Sequence, residues 1–294
     1  MKFIIAALAS LGEDDRINRA IAAASGNGEA VNLGAKRWTA KEVEVKEQDW
    51  LERAEDVYAI IKNAPIDFAF LPSENRKKKL LISDMDSTII GQECIDELAD
   101  FAGKKAEVAA ITERAMRGEL DFEGALTTRV EMLKGLNVSV LENCFAERIQ
   151  LNPDARTVVR TMAENGARCV LVSGGFTFFT SRVADAAGFH ANRANTLIIE
   201  NDALTGDVDR PILGKQAKLD ALNAECEALG ITAADVIAMG DGANDLAMIE
   251  AAGLGVAYCA KPVVAEKADC AINQKSLASA LFFQGYHEDE FIID

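Results

Sequence analysis

From Leu80 onward, short and nearly unbroken apolar runs recur: LLIS, ARCVLVS, NTLIIE, DVIAMG, GLGVAY and DCAI. Most are separated by helix-like stretches. Strands apolar on both faces that alternate with helices form a parallel sheet covered on both sides, so this part reads as an α/β fold. Two intervals depart from the rule. NTLIIENDALTGDVD reads as a hairpin turning at Asn201–Asp202. The stretch from residue 84 to 167, between the first two strands, is far longer than a crossover requires and is mostly helical (CIDELADFAG, EVAAITERAMRG, FEGALTTRVEML, VLENCFAERI). It reads as a helical insertion over the first strand's end, at about residues 93–152.

Residues 1–72 have another rhythm. KFIIAALA is strand-like, EDDRINRAIAAAS helical, EAVNLGAKRW and KEVEVKE strand-like, QDWLERAEDVYAIIKNA helical and IDFAFLP strand-like. The order βαββαβ points to a ferredoxin-like module, similar in topology to ACT-type amino-acid sensors. SENRKKK, polar and without an apolar anchor, is the expected linker. The expected division is therefore residues 1–74 and 75–294. The opening MKFIIAALAS imitates a short signal peptide, but its apolar run is short for one and it reads as a buried strand.

Composition narrows the function. The 294 residues carry a net charge of −16, which argues against a nucleic-acid partner. No window approaches the ~20 apolar residues of a spanning helix, so no membrane partner is expected. Six cysteines without a CxxC pair, and only two histidines, read as reduced thiols in a cytoplasmic protein rather than a disulfide framework or a zinc site.

In open α/β sheets ligands bind beyond the carboxyl ends of the strands. DMDST follows LLIS, SGG follows RCVLV, and GDGAND follows DVIAM. In extended chain, positions i and i+2 share a face, so Asp84 and Asp86 look into one space while Met85 turns away. Two ionised carboxylates that close require a proton or a cation. Oxygen ligands favour a hard ion, and a site shared with phosphate favours Mg²⁺. Asp241 and Asp245 supply further carboxylates for the same ion. SGG before the helix FTFFTSRVADAAG suits an anion, through free N–H groups at a helix start and a serine hydroxyl.

DMDST, SGG, a downstream lysine and GDGAND together resemble the four motifs of the haloacid dehalogenase-like phosphatases, with the insertion resembling their helical cap. GQECIDELADFAG, ITERAMRGELDFEGALTTRV, LVSGGFTFF, MGDGANDLAMIEAAGLGVAYCAKP and EKAD are similar to segments of the phosphoserine phosphatase family, over about residues 80–282. The resemblance implies a Mg²⁺-dependent phosphoric monoester hydrolase acting on phosphoserine, the last step of serine synthesis. Asp84 is then the nucleophile and Asp86 the general acid and base. Mg²⁺ is held by Asp84, the backbone carbonyl of Asp86 and Asp241, with Asp245 acting through water or from behind. Ser173 and Gly174 hold the phosphoryl oxygens, with Asn244 orienting the phosphate or the lysine. The lysine is Lys215 or Lys218; counting back from Asp241 favours Lys218.

In the cap, the resemblance gives Glu93 the substrate's ammonium and Arg129 its carboxylate, with Met116 and Phe122 as an apolar wall. Each also has a structural alternative: Glu93 a helix N-terminal acid, Arg129 a surface arginine, Met116 and Phe122 ordinary cap core. Two other functions stay open. A phosphotransferase would use nearly the same site with an alcohol in place of water. A phosphorylatable aspartate also describes receiver-type signalling domains, though these lack the long cap and GDGAND. The N-terminal module would bind serine, mediate a homodimer or stabilise the catalytic part. The acidic end YHEDEFIID reads as solvated, with one apolar patch that can dock.

Overall fold

The computed structural model describes residues 2–10, 14–25, 29–46, 48–62 and 64–293. The first unit runs β1 (Lys2–Ser10), α1 (Asp14–Ser25), β2 (Ala30–Gly34), β3 (Trp38–Lys46), α2 (Trp50–Ile61) and β4 (Ile66–Pro72). Its antiparallel sheet has the order β2-β3-β1-β4, the ferredoxin-like arrangement read from the sequence. Alternation in β3 sends Val43 and Val45 to a cluster with Ile17, Ala20 and Ile21 of α1 and Val57 and Ile61 of α2. The opposite face gives Trp38, Ala40, Ala69 and Leu71 to the main core, where Trp38 meets Phe282 edge-on with ring centroids 6.0 Å apart.

β5 (Leu80–Ser83) opens the second unit. The cap helices follow: α3 (Cys94–Phe101), α4 (Lys105–Met116), α5 (Phe122–Glu131) and α6 (Ser139–Arg148). The chain enters and leaves the cap side by side, since Ile90 bridges Leu151, Gly91 N–H donates to the Gln150 carbonyl and Asn152 N–H to that of Ile89. Then come α7 (Ala155–Glu164), β6 (Arg168–Phe176), α8 (Thr177–Ala187), β7 (Ala191–Asn195), the hairpin β8 (Leu197–Glu200) and β9 (Ala203–Val208), and α9 (Lys215–Leu229). The chain closes with β10 (Val236–Gly240), α10 (Leu246–Ala251), β11 (Leu254–Tyr258), α11 (Pro262–Ala265), β12 (Cys270–Ile272) and α12 (Ser279–Phe283).

The six-stranded sheet has the order β12-β11-β10-β5-β6-β7 and every pairing in it is parallel. β5, β10 and β11 are buried along their whole length. Leu80 and Ile82 face one apolar cluster, with Val170, Val236 and Leu222, whereas Leu81 faces the other, with Leu171 and Ile237. β5 lies between β10 and β6, so the chain runs off in opposite directions on its two sides and leaves a crevice at its carboxyl end.

NTLIIE lies, as expected, in a separate hairpin, β8–β9, which turns at Asn201 and Asp202 with φ of +49° and +59°. Other expectations are corrected. The sixth parallel strand is the polar stretch ANRAN, which carries no apolar signal. The linker is pinned: Arg76 donates to the carbonyls of Phe282 and Phe283 and pairs with Glu42 at 2.7 Å, and Lys78 is buried. The acidic end is solvated only in part, at His287, Asp289, Ile292 and Ile293, and its apolar patch docks as expected. Tyr286, Glu288 and Phe291 are buried, and the Glu288 carboxylate accepts the N–H groups of Ala35, Lys36 and Arg37 at 2.6–2.8 Å. No helix among the described residues is long and apolar enough to cross a membrane.

Asp67 of β4 ties the two units together, accepting from the N–H of Asn273 (2.7 Å), the N–H of Gln274 (3.2 Å) and the hydroxyl of Ser279 (2.9 Å). Burial lifts its carboxyl from 3.8 to about 6, against these hydrogen bonds, which favour the ionised form. Between those values the folded chain holds a proton that the unfolded chain has lost. Asp67 therefore subtracts stability as pH rises through this window, by about 3 kcal/mol once fully ionised. Asp67→Asn removes the titration. Between about pH 4 and pH 7 the stability difference should move in the variant's favour by a comparable amount, measured by urea unfolding of both chains.

Candidate active site

The register sets the tips of three neighbouring strands side by side. Ser83 of β5 pairs with Met239 of β10 and Leu171 of β6, and the Asp84 N–H continues the ladder to the Met239 carbonyl at 2.9 Å. Asp84 and Asp241 thus leave β5 and β10 within one residue of the same level, beside Ser173 of β6, where strands lie about 4.8 Å apart. Met85 is fully buried in the apolar core while Asp84 and Asp86 line one cavity, as the two-residue period requires.

One carboxylate oxygen from each of Asp84, Asp241 and Asp245 lies within 4.8 Å of the others, and all three residues are buried. Lys218, 1% exposed, sets its Nζ 2.6 Å from Asp84 Oδ1 and 2.6 Å from Asp245 Oδ1. Asp245 Oδ2 accepts the N–H groups of Asp241 and Gly242, each at 3.1 Å, so both its oxygens are engaged within the protein. A Cβ at Gly240 would stand 2.4 Å from the Asp245 carboxyl carbon, which requires glycine there. Asp241 Oδ1 accepts from the Thr88 hydroxyl at 3.2 Å. Lys215, the other lysine considered, is exposed.

Three buried carboxylates thus face one ammonium. Burial first, then Asp245 and, after the opposing effect of Lys218, Asp86, push the Asp84 carboxyl up to about 7. Burial, with Asp245 and Asp84, carries Asp241 well above the usual carboxylate range. Burial works against the Lys218 ammonium, but Asp245 and Asp84 outweigh it and the net shift is upward. The group is short of positive charge, its unengaged donors are carboxylate oxygens, and these residues fit a hard divalent cation. Asp86 Oδ1 accepts the Cys94 N–H at 2.8 Å and Oδ2 the Ser173 hydroxyl at 3.1 Å. Burial nonetheless raises its pKa, since it outweighs these bonds.

Above this floor lies a cavity of about 70 Å³. Asp84, Asp86, Ser173, Gly174 and Asn244 line its core side, and Glu93, Phe122 and Arg129 its cap side. Phe122 lies over the SGG turn, where a Cβ at Gly174 would come 2.5 Å from its Cζ. The expected helix start at SGG is corrected. β6 continues to Phe176 and α8 begins at Thr177, so Ser173 and Gly174 present strand-end backbone, irregular after Val172. Glu93 precedes α3 without capping it and accepts the Ser87 hydroxyl at 2.5 Å. Burial, with Asp86 and Asp241, lifts its carboxyl well above the usual range. Arg129 is buried, not at the surface. The side chain of Met116 lies outside the described residues.

Four groups at the site escape the sequence reading. Thr88 holds Asp241, and its signal was its place inside DMDST. The backbone N–H of Cys94 holds Asp86, and a backbone donor leaves no residue signature. Thr112 holds Arg129 at 2.9 Å, as one polar residue in a helical stretch. Asn195 fixes the site's back wall, donating to the Gly174 carbonyl at 2.8 Å and accepting the Leu213 N–H at 2.7 Å, from a strand with no apolar pattern.

Comparison with known proteins bears on this geometry. Residues 81–250 match the family described as haloacid dehalogenase-like hydrolase. A phosphoserine phosphatase from Polaromonas sp. is 50% identical over 204 residues, covering 68% of this chain and 86% of that protein. The crystal structure of a HAD family hydrolase from Salmonella enterica serovar Typhi superposes with a TM-score of 0.85 at 29% identity, covering 96% of this chain and 98% of that one. A structure described as a phospho-aspartyl intermediate analogue of phosphoserine phosphatase is 39% identical, with a TM-score of 0.68 over 70% of this chain and 99% of that one. The chain therefore belongs to the haloacid dehalogenase-like hydrolases, within the phosphoserine phosphatase family.

Proposed function

We propose that the chain hydrolyses O-phospho-L-serine to L-serine and phosphate through an aspartyl-phosphate on Asp84. One observation carries this reading: one cavity has paired aspartates and a serine on its floor, and a carboxylate and a guanidinium on its cap wall. A phosphomonoester that also bears an ammonium and a carboxylate matches that distribution of charge. The related structure described as a phospho-aspartyl intermediate analogue supports the covalent step.

Mg²⁺ held by Asp84, Asp241 and the Asp86 carbonyl, with Asp245 behind them, would neutralise charge on the phosphoryl oxygens. Asp84 Oδ attacks phosphorus, and the bond from phosphorus to the serine oxygen breaks. Asp86, whose burial raises its pKa and so favours the acid form, passes a proton to that oxygen. Water then attacks the phosphorus of the acyl phosphate, Asp86 takes its proton, and the Asp84 carboxylate is released. Lys218 holds Asp84 and Asp245 in place and offsets repulsion between carboxylate and phosphate. Ser173, the Gly174 backbone and Asn244 receive the phosphoryl oxygens, Glu93 the ammonium and Arg129 the carboxylate by its planar fork. Phe122 excludes water.

The division at residues 74 and 75, a cap at about 93–152 and an ACT-like role for the first unit belong to the same reading. Its setting is the cytoplasm, supported by six unpaired thiols.

A phosphate-release panel with Mg²⁺ tests the assignment. L-phosphoserine should exceed phosphothreonine, phosphoethanolamine and sugar phosphates in kcat/KM, and a sugar phosphate in first place would overturn it. Phosphorylated product on adding an alcohol would identify a phosphotransferase instead; a single stable phosphorylation without turnover would identify a sensor. Asp84→Asn should abolish turnover while leaving the circular dichroism spectrum intact. Arg129→Ala should cost at least about tenfold more in kcat/KM for phosphoserine than for a small aryl phosphate, because only the former has a carboxylate to lose. Lys218→Ala leaves the buried carboxylates without an ammonium, and should lower stability at pH 8 by about 3 kcal/mol in chemical denaturation without divalent cation.

A further inference from the structure

A buried guanidinium needs acceptors, and among the described residues those of Arg129 are neutral. Its Nε donates to the Ala125 carbonyl, one turn back on α5, at 3.1 Å. Its Nη1 donates to the Thr112 hydroxyl on α4 at 2.9 Å. Asp96 on α3, like Glu93 before it, acts on it through space and not as one of its hydrogen-bond acceptors. The hydroxyl stands between the two charges.

Thr112 has a single hydroxyl proton to place. Its Oγ1 lies 2.6 Å from Asp96 Oδ1 and 3.1 Å from the Val108 carbonyl. The shorter, charge-assisted bond takes the proton and turns the oxygen lone pairs toward Arg129. Asp96 thus accepts from Thr112, and Thr112 accepts from Arg129, so one directed chain links three cap helices. Thr112 also lines both the substrate cavity and an adjoining cavity of about 550 Å³ that Asp96 borders. A direct pair between Asp96 and Arg129 would satisfy the guanidinium internally. The relay holds it in place and leaves its charge for a ligand.

We propose that Thr112 and Asp96 are positioning residues for Arg129, and that their relay sets the preference for phosphomonoesters bearing a carboxylate. This rests on the reading of Arg129 as the carboxylate's partner. Thr112→Val keeps the shape and removes the acceptor. Thr112→Ser keeps the hydroxyl. Asp96→Ala removes the outer acceptor but leaves Thr112 the Val108 carbonyl, so its effect is smaller.

Full-length variants are compared in kcat and KM with L-phosphoserine and a small aryl phosphate, with melting temperature as the check on folding. Thr112→Val should raise KM for phosphoserine about tenfold with little change in kcat, so that the phosphoserine-to-aryl ratio of kcat/KM falls about tenfold. Thr112→Ser should restore the ratio, and Asp96→Ala should lower it about threefold. Equal losses on both substrates with Thr112→Val, or no restoration by serine, overturn the proposal. Should the valine chain fail to fold, an unchanged ratio in Asp96→Ala overturns it. Arg129→Ala separates the two readings. If it is selective and Thr112→Val is not, only the relay falls; if it strikes both substrates equally, the reading of Arg129 falls and the relay with it.

Discussion

The site depends on a shortage of positive charge among buried carboxylates at the strand ends. Asp84, Asp241 and Asp245 bring carboxylate oxygens within 4.8 Å of one another, with Lys218 as the ammonium that touches two of them. Two like charges at that distance repel by roughly 3 kcal/mol even at an effective dielectric of about 20. The fold tolerates this because the backbone gives no alternative: Asp84 and Asp241 leave strands that are buried throughout and locked in register, and Asp245 is held by two N–H groups. Sheet packing holds the carboxylates together, and their oxygens fit a hard divalent cation.

The cap supplies the other half. Its two connections run side by side at Ile90 and Leu151, so the insertion is anchored next to the first strand's end. Phe122 lies over Gly174 and covers one side of the cavity, which limits solvent beside the charges there. The N-terminal unit touches this region indirectly. Asp67 fixes Asn273 and Gln274, and the next residue, Lys275, accepts the Tyr258 hydroxyl at 2.7 Å and borders the larger cavity.

Much of this was legible because local chemistry and global position agree in this chain. Near-continuous apolar runs announced buried parallel strands, and the residues after them carried the polar chemistry. Asp84 and Asp86 share a face by backbone period alone. Lys218 against Lys215 was a matter of counting, and the structure buries the one and exposes the other. The illegible parts lack a periodic signal. ANRAN is an edge strand with little to bury, so nothing apolar marks it. YHEDEFIID reads as acidic and solvated because the partner of Glu288, a turn of free N–H groups at residues 35–37, lies more than 250 positions away.

The sequence by itself determined which groups sit at the strand ends, since apolar strand length and side-chain period are local properties of the chain. It also determined the family, through four motifs in fixed order. Only the tertiary structure decided how those groups are partnered: which oxygen of Asp245 takes Lys218 and which takes backbone, that Thr112 stands between Asp96 and Arg129, and that β6 runs past Ser173 before its helix begins. Hydrogen-bond direction and charge balance depend on atoms brought together from distant parts of the chain.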